Sequence, residues 1–210
     1  HYYGCKNLVE LFIDNPPKKF VQIGSSTEYG NAKSPHTEKT ICKPLSIYGK
    51  AKLLSTKYLL QMLKKKDFPV VILRLYQAYG PKQDANRIIP QAITSFLENI
   101  IFDTTEGKQL RDFIYIDDVI RAIINSLLIK KSKGKIINIG TGQPRKIRDV
   151  IMKIFKIIKK GKPNLGQIKM RKDETLKIYP SIKKANTLIN WSTKISFIDG
   201  LNKTIKSYEK

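Results

Sequence analysis

The chain has 210 residues, of which 41% are hydrophobic and 27% charged, a composition that supports a folded core and excludes a disordered or collagen-like chain. No apolar run of about 20 residues and no signal peptide is readable, and two cysteines, Cys5 and Cys42, are too few for a disulfide framework or a zinc site. We therefore expect a cytoplasmic protein with reduced thiols and no bound metal.

The first half of the chain predicts two helices that alternate with two strands. The apolar-periodic segment that ends at Asn15-Pro16-Pro17 is typical of a helix, since proline stops helices. The apolar run Val70–Leu75 is typical of a strand buried on both faces of a parallel sheet. The predicted elements are helices at 2–14 and 46–66 and strands at 20–24 and 70–75, with a polar loop at 25–45. A strand, a helix and a second strand in this order predict a crossover between parallel strands.

The second half predicts further helices around two more strands. Asp117-Asp118 begins one of these helices, and carboxylates are favourable at the positive end of a helix dipole. The predicted elements are helices at 90–99, 117–129, 146–160, 182–190 and 198–209 and strands at 113–116 and 135–140. Strands that alternate with helices predict an α/β fold.

The net charge of +23 would suit a nucleic-acid partner, because lysine and arginine neutralise phosphates. The basic residues are mostly lysines, and they are spread along the whole chain with no basic tail. We therefore expect a solvated basic surface, and neither nucleic acid nor a membrane as a partner.

Tyr48 and Lys52 are spaced i, i+4 near the start of a predicted helix, so both side chains project from one face. An ammonium beside a phenol favours the phenolate, which can take a proton from a sugar or alcohol hydroxyl. An exposed tyrosine beside a lysine has the same spacing, so the pair alone leaves both interpretations open. Hydroxyls at Ser25, Ser26 and Thr27 follow the first strand, where open α/β sheets place ligands; the alternative is that they satisfy the backbone of a turn.

Five segments occur in an order that resembles one known family. They are Ser25-Ser26-Thr27-Glu28-Tyr29-Gly30, Tyr48-Gly49-Lys50-Ala51-Lys52, Leu73–Pro81, Arg111–Val119 and Asn138–Gly142. They resemble the motifs of the NAD-dependent epimerase/dehydratase family, the extended short-chain dehydrogenases/reductases that act on nucleotide sugars. The resemblance implies a partial doubly wound, Rossmann-like parallel sheet whose first half is missing, with a small C-terminal substrate-binding region.

The resemblance also implies roles for residues on the first two motifs. Tyr48 would be the catalytic base and a cofactor contact, and Lys52 its electrostatic partner and a ligand of the cofactor ribose. Ser25 would orient the substrate oxygen, with Ser26 as the neighbouring candidate. We expect these residues to share one pocket.

Further residues would bind the cofactor and the substrate. Leu75 and Tyr76 would lie beside the nicotinamide, while Gln77 takes a place usually held by asparagine and would reach substrate phosphate or sugar. Arg111 stands where the family has an arginine on the nucleotide diphosphate, because a guanidinium fork matches phosphate oxygens. Arg171 falls where a second such arginine lies, and Arg87 is a third candidate. Without the motif, the expectation for an isolated arginine is a surface charge.

The largest departure from the family is an absent motif. A dinucleotide site of this kind has a strand, a glycine-rich turn and a helix whose N-terminus receives the pyrophosphate. Gly140-Thr141-Gly142 comes too late in the chain and lacks a third glycine. We therefore expect a missing N-terminal segment of roughly 80 to 100 residues, which would hold the residues that choose between NAD and NADP.

The resemblance implies an NAD(P)-dependent nucleotide-sugar epimerase or 4-ketoreductase. The family's 4,6-dehydratases carry an Asp-Glu pair where this chain has Ser26-Thr27, which disfavours dehydration. One alternative is a catalytically incomplete fragment that only binds nucleotide sugar, and another is a basic nucleic-acid-binding protein.

The same resemblance divides the chain and predicts its assembly. Residues 1–80 would form the C-terminal half of the cofactor domain, and residues 81–210 mainly the substrate-binding region, with 116–150 returning to the sheet. The helices at 2–14 and 46–66 resemble those through which such enzymes dimerise. We therefore expect the full-length protein to be a homodimer.

Overall fold

A computed structural model describes residues 1–171 and 173–209 and has an α/β fold. Its helices are α1 (Tyr2–Phe12), α2 (Ile47–Lys66), α3 (Ile88–Leu97), α4 (Ile116–Leu128), α5 (Ile147–Ile158), α6 (Lys183–Ile189) and α7 (Phe197–Lys206). Its strands are β1 (Phe20–Ser25), β2 (Val70–Leu75), β3 (Gln77–Tyr79), β4 (Ile101–Thr104), β5 (Leu110–Arg111), β6 (Phe113–Tyr115), β7 (Ile136–Ile139), β8 (Arg145–Lys146), β9 (Lys162–Leu165) and β10 (Lys177–Ile178).

The central sheet is parallel, with the strand order β1-β2-β7. Ile72 of β2 packs with residues of α1 and α2 on one face, and Leu73 packs with residues of α4 and α6 on the other. The prediction that β2 is buried on both faces is therefore confirmed. In the register, Ser25 lies opposite Leu75 and Leu75 opposite Ile139, so the three strands end at the same level.

The region after β2 builds a second core from short elements. Residues of α3, α5 and α7 pack together around buried side chains such as Ile93, Ile154 and Leu201. The small sheets beside this core pair β3 with β6, β4 with β9, and β5 with both β8 and β10. This region therefore joins the central sheet through β3, which follows β2 after a single residue.

The predicted helices are all present, with ends that differ by a turn or less. The predicted strand at 113–116 ends at Tyr115, because Ile116 is already the first residue of α4. A 3₁₀ turn at Ser26–Tyr29 lies inside the predicted polar loop. The short strands β3, β4, β5, β8, β9 and β10 were not predicted, since segments of two to four residues show too little periodicity to read.

None of the helices that the structure describes is both long and apolar enough to span a membrane. Cys5 and Cys42 are free thiols.

The carboxylate of Glu28 is fully buried and joins β1, α2 and β2. Its Oε1 accepts a hydrogen bond from the backbone N–H of Ser25 at 3.0 Å, and its Oε2 accepts one from Thr56 Oγ1 at 2.9 Å. The buried guanidinium of Arg74 donates from its Nε to the same Oε2 at 2.9 Å, and its Nη2 lies 2.8 Å from that oxygen. A buried charge needs such partners, so Glu28 holds the end of β1 against both neighbouring elements.

His36 is the centre of a second buried polar cluster. Its Nε2 lies 2.9 Å from the Ala32 carbonyl oxygen, which only accepts, so Nε2 carries the proton and Nδ1 accepts from the Tyr76 hydroxyl at 3.0 Å. Asn138 donates to the His36 carbonyl at 3.1 Å and accepts from the Tyr29 hydroxyl at 2.7 Å. Burial lowers the pKa of His36 from its ordinary value of 6.5, because desolvation penalises the imidazolium form.

We predict that Glu28→Gln lowers the free energy of unfolding by about 3–5 kcal/mol, the range for breaking a buried ion pair. The amide nitrogen is a donor, and it would face other donors in either orientation: the Ser25 N–H, or those of Thr56 and Arg74. The guanidinium would also lose its counter-charge. Urea denaturation measures the change. The control is Glu10→Gln, which removes an exposed ion pair with Lys6 and should change stability by less than about 0.5 kcal/mol. Equal losses in the two variants would contradict this account.

We also predict that stability falls as the pH drops below 6.5, the ordinary pKa of histidine. The unfolded chain then binds a proton at His36 that the folded chain does not, which limits the slope to about 1.4 kcal/mol per pH unit. Urea denaturation between pH 5 and pH 8 (about the range in which histidine titrates) compares the chain with His36→Gln, whose side chain does not titrate. The difference between the two proteins should shrink toward acid pH, and a constant difference would rule out a titrating His36.

Candidate active site

Ser25 ends β1 and caps the 3₁₀ turn that follows. Its Oγ accepts hydrogen bonds from the backbone N–H of Thr27 at 3.2 Å and from Thr27 Oγ1 at 2.8 Å. A hydroxyl oxygen has two acceptor positions and one proton. Both acceptor positions are therefore taken, and the hydroxyl proton of Ser25 is left to donate to another group.

Tyr48 lies in the first turn of α2, after the N-cap Ser46, whose Oγ accepts from Gly49 N–H at 3.0 Å. The helix approaches the turn closely at Gly49, where a Cβ would lie 2.7 Å from the Thr27 carbonyl oxygen. Only glycine permits this approach. The close contact brings the half-exposed phenol of Tyr48 to the same side of the sheet as Ser25.

Lys52 follows Tyr48 by one helical turn, and its Nζ lies 5.7 Å from the centre of the Tyr48 ring. The ammonium donates to the Ile23 carbonyl oxygen on β1 at 2.9 Å. Burial lowers the pKa of Lys52 below its usual range, because the charged form loses water. The predicted pair is therefore on one helix face, with the ammonium beside the phenol ring and anchored to β1.

A cavity of about 510 Å³ opens at the carboxyl ends of β1 and β2, and we call it the tyrosine cavity. It brings together most of the residues predicted for the site. Ser25, Ser26, Tyr48, Leu75 and Tyr76, predicted for the reacting end, line it, and so do Gln77 and Arg87, which were predicted to contact the substrate phosphate or sugar and the diphosphate. Lys52 is not among the lining residues; its ammonium lies beside the Tyr48 ring.

A second cavity of about 460 Å³, the arginine cavity, is lined by all three predicted arginines, Arg87, Arg111 and Arg171. The two cavities share Gln77, Ala78, Gln83 and Arg87. The two cavities are therefore adjacent, and we call them together the cleft. The hydroxyls and the phenol line the tyrosine cavity, Arg111 and Arg171 line the arginine cavity, and Arg87 lines both.

Arg111 is buried and pairs with Glu174, a residue that the sequence analysis missed. Its Nη1 also donates to the Leu110 carbonyl oxygen at 2.9 Å, so the guanidinium is held in place. Glu174 carried no local signal, because it meets Arg111 only through the fold. Arg87 and Arg171 are exposed, and the arginine cavity keeps a positive excess.

Tyr76 lines the tyrosine cavity, but its hydroxyl is bonded to His36. Burial raises the pKa of the Tyr76 phenol well above its usual range. This hydroxyl is therefore held in the protein interior by His36.

The turn at Gly140-Thr141-Gly142 has its polar groups occupied by Asp112, a buried carboxylate. Thr141 donates from its backbone N–H at 2.7 Å and from its Oγ1 at 3.0 Å to the two oxygens of that carboxylate. This arrangement agrees with the expectation that the turn is not a dinucleotide phosphate site. Among the residues that the structure describes, no cluster of histidine, cysteine, aspartate and glutamate could hold a metal ion.

Comparison with known proteins gives one family. The model of the NAD dependent epimerase/dehydratase family matches residues 2–140. The chain is 34% identical over 209 residues to UDP-glucuronate 4-epimerase from Thermodesulfobacterium geofontis, covering 96% of this chain and 62% of that protein. It is 25% identical over 218 residues to dTDP-D-glucose 4,6-dehydratase from Mus musculus, covering 99% of this chain and 60% of that protein.

A solved structure is similar over nearly the whole chain. It is UDP-glucuronic acid 4-epimerase from Bacillus cereus in complex with UDP-glucuronic acid and NAD, with 33% identity and a TM-score of 0.89. The alignment covers 98% of this chain and 66% of that one. The chain thus spans about three-fifths of the length of the curated relatives it matches.

Proposed function

Because the chain belongs to the NAD-dependent epimerase/dehydratase family, we propose that its cleft binds a nucleotide sugar and serves hydride transfer at a sugar carbon, as an epimerase or 4-ketoreductase. The observation that carries this proposal is that the tyrosine cavity and the arginine cavity lie side by side and share four lining residues. A nucleotide sugar needs a proton-transferring group at the sugar and cations at the diphosphate. The tyrosine cavity offers the first and the arginine cavity the second.

At the reacting end, Tyr48 is the proposed acid/base. Its phenolate takes the proton of the sugar hydroxyl as the carbon is oxidised, and the resulting phenol returns a proton in the reverse step. Ser25 donates its hydroxyl proton to the same sugar oxygen, which leaves that oxygen's own proton directed at Tyr48. Lys52 stabilises the phenolate by its charge, with its Nζ 5.7 Å from the centre of the Tyr48 ring.

In the arginine cavity, Arg87, Arg111 and Arg171 are proposed to bind the diphosphate, because guanidinium groups donate to phosphate oxygens in pairs. Gln77 lies in both cavities and is proposed to contact the sugar or the adjoining phosphate. Together these contacts would fix the direction in which the substrate lies in the cleft.

The proposed cofactor is NAD or NADP, which supplies the carrier for the hydride. Leu75, half-buried at the end of β2, and the ring of Tyr76 offer an apolar wall of the tyrosine cavity for a nicotinamide. Tyr48 and Lys52 are proposed to bind the ribose beside it. These residues fit only the nicotinamide end, because no described strand leads into a glycine-rich turn that could take the pyrophosphate.

Dehydration is disfavoured by the lining of the tyrosine cavity. Elimination of water requires an acid and a base besides the tyrosine, and no carboxylate is among the described residues that line this cavity. The positions in question hold Ser26 and Thr27, whose hydroxyls are too weakly acidic and basic for that task. This observation favours epimerisation or ketone reduction within the family.

The alternative function is binding of a nucleotide sugar without turnover by this chain. It is favoured by the place of β1 at the edge of the described sheet and by the share of the relatives' length that the chain spans. Turnover that appears only with an in-frame upstream glycine-rich segment would support this alternative. Turnover by the 210-residue chain itself would exclude it.

We further propose that the protein forms a homodimer through α1 and α2. Apolar side chains on the outer faces of these helices, including Tyr3, Leu8, Leu11 and Leu54, are about half to three-quarters exposed, and such a patch marks an interface. Light scattering should return twice the chain mass of 24.1 kDa. A monomer at every concentration would contradict the proposal.

We predict that Tyr48→Phe abolishes hydride transfer, with a loss of at least about 100-fold, because it removes the phenol and keeps the ring. Affinity for the nucleotide sugar should fall by no more than about tenfold, since one neutral hydrogen bond is lost. With UDP-, GDP-, dTDP- and CDP-sugars, the assay follows NADH or NADPH absorbance for ketone reduction and the sugar product by NMR for epimerisation, in which the hydride returns to the sugar and the absorbance shows no net change. Tyr3→Phe, an exposed tyrosine on α1, is the matched control, and turnover retained by Tyr48→Phe would rule out the assigned role.

A further inference from the structure

Thr27 lines the tyrosine cavity, but the function proposed above gives it no contact with substrate or cofactor. It is the one exposed residue of the 3₁₀ turn at Ser26–Tyr29, whose other members are buried. Its Oγ1 donates a hydrogen bond to Ser25 Oγ at 2.8 Å. The threonine side chain therefore lies outside the core, at the cavity, with its hydroxyl proton directed at Ser25.

Ser25 lines the same cavity and keeps 8% of its surface exposed. Both positions at which its Oγ accepts are filled by Thr27, through the backbone N–H at 3.2 Å and through Oγ1. The remaining direction, away from Thr27, belongs to the Ser25 hydroxyl proton, which has no acceptor among residues 1–171 and 173–209. Folded proteins pair nearly all buried polar groups, so a ligand oxygen in the cavity would complete the bonding of Ser25.

The backbone of Thr27 is held independently of its side chain. The Thr27 carbonyl oxygen accepts from the Gly30 N–H at 3.2 Å. Helix α2 approaches the same oxygen at Gly49, where a Cβ would lie 2.7 Å away. Removal of the exposed threonine hydroxyl should therefore leave the turn intact and change only the bond to Ser25.

We propose that Thr27 is a positioning residue that fixes Ser25 as a hydrogen-bond donor to the reacting oxygen of the sugar. The proposal rests on the proposed function. Without the Thr27 hydroxyl, one acceptor position of Ser25 becomes free, and its proton is distributed over three staggered directions. Ser25 can then accept the proton of the sugar hydroxyl, which turns that proton away from Tyr48. The Thr27 hydroxyl thus keeps the sugar proton directed at the base.

The test is a double-mutant cycle of Thr27→Val and Ser25→Ala, with affinities for UDP-glucose and UDP measured by isothermal titration calorimetry on the purified chain. Thr27→Val keeps the shape of the side chain and removes its hydroxyl. The affinity for UDP-glucose should fall about threefold, the cost of selecting one of three hydroxyl directions, and that for UDP should not change. In the Ser25→Ala background Thr27→Val should have no further effect, because the two residues then no longer interact.

Two further variants and a control complete the cycle. Thr27→Ser keeps the donor and should bind UDP-glucose as the unchanged chain does. Thr27→Ala lacks the donor and should lose the same factor as Thr27→Val, even where the valine variant does not fold. Thr187→Val changes an exposed threonine on α6 outside both cavities and should alter neither affinity.

A loss that persists in the Ser25→Ala background would overturn the proposal, because Thr27 would then act without Ser25. Equal losses for UDP and UDP-glucose, or no loss for either ligand, would overturn it as well. Each of these results leaves the proposed function standing. A chain that binds neither ligand would contradict the proposed function and the role of Thr27 with it.

Discussion

The buried carboxylate of Glu28 is the interaction on which the geometry of the site depends. It bonds the backbone of Ser25, the side chain of Thr56 on α2 and the guanidinium of Arg74 on β2. One charge therefore sets the turn after β1, the position of the helix that carries Tyr48 and the neighbouring strand. The carboxylate also restricts position 24 to glycine, because a Cβ at Gly24 would lie 2.7 Å from Glu28 Oε1.

The cleft follows from the parallel register. The strands β1, β2 and β7 end at one level, and open α/β sheets leave room for ligands beyond that level. The chain continues from Leu75 into β3, which carries Gln77 from the central sheet toward the second core. The cleft lies between these two cores, so the hydroxyl end is built on the sheet and the cationic end on the later segments.

The sequence predicted the parts of this arrangement that are local. The apolar run of β2, the i, i+4 pair on α2 and the hydroxyls after β1 are each visible within one element. His36 and Glu174 were missed, because each acquires its meaning from a contact that the sequence pattern does not contain: the Tyr76 hydroxyl and the Arg111 guanidinium. The short strands were missed for the same reason, since their pairing is set by the fold.

The central claim is that one cleft holds a nucleotide sugar in a single direction, with the sugar at Ser25 and Tyr48. Backbone ¹H–¹⁵N NMR spectra with UDP and with UDP-glucose test it most directly. We expect UDP to shift the amides of Arg87 and Arg111, and the added sugar to shift those of Ser25, Thr27 and Tyr48. Sugar-dependent shifts that fall outside the tyrosine cavity would contradict the claim.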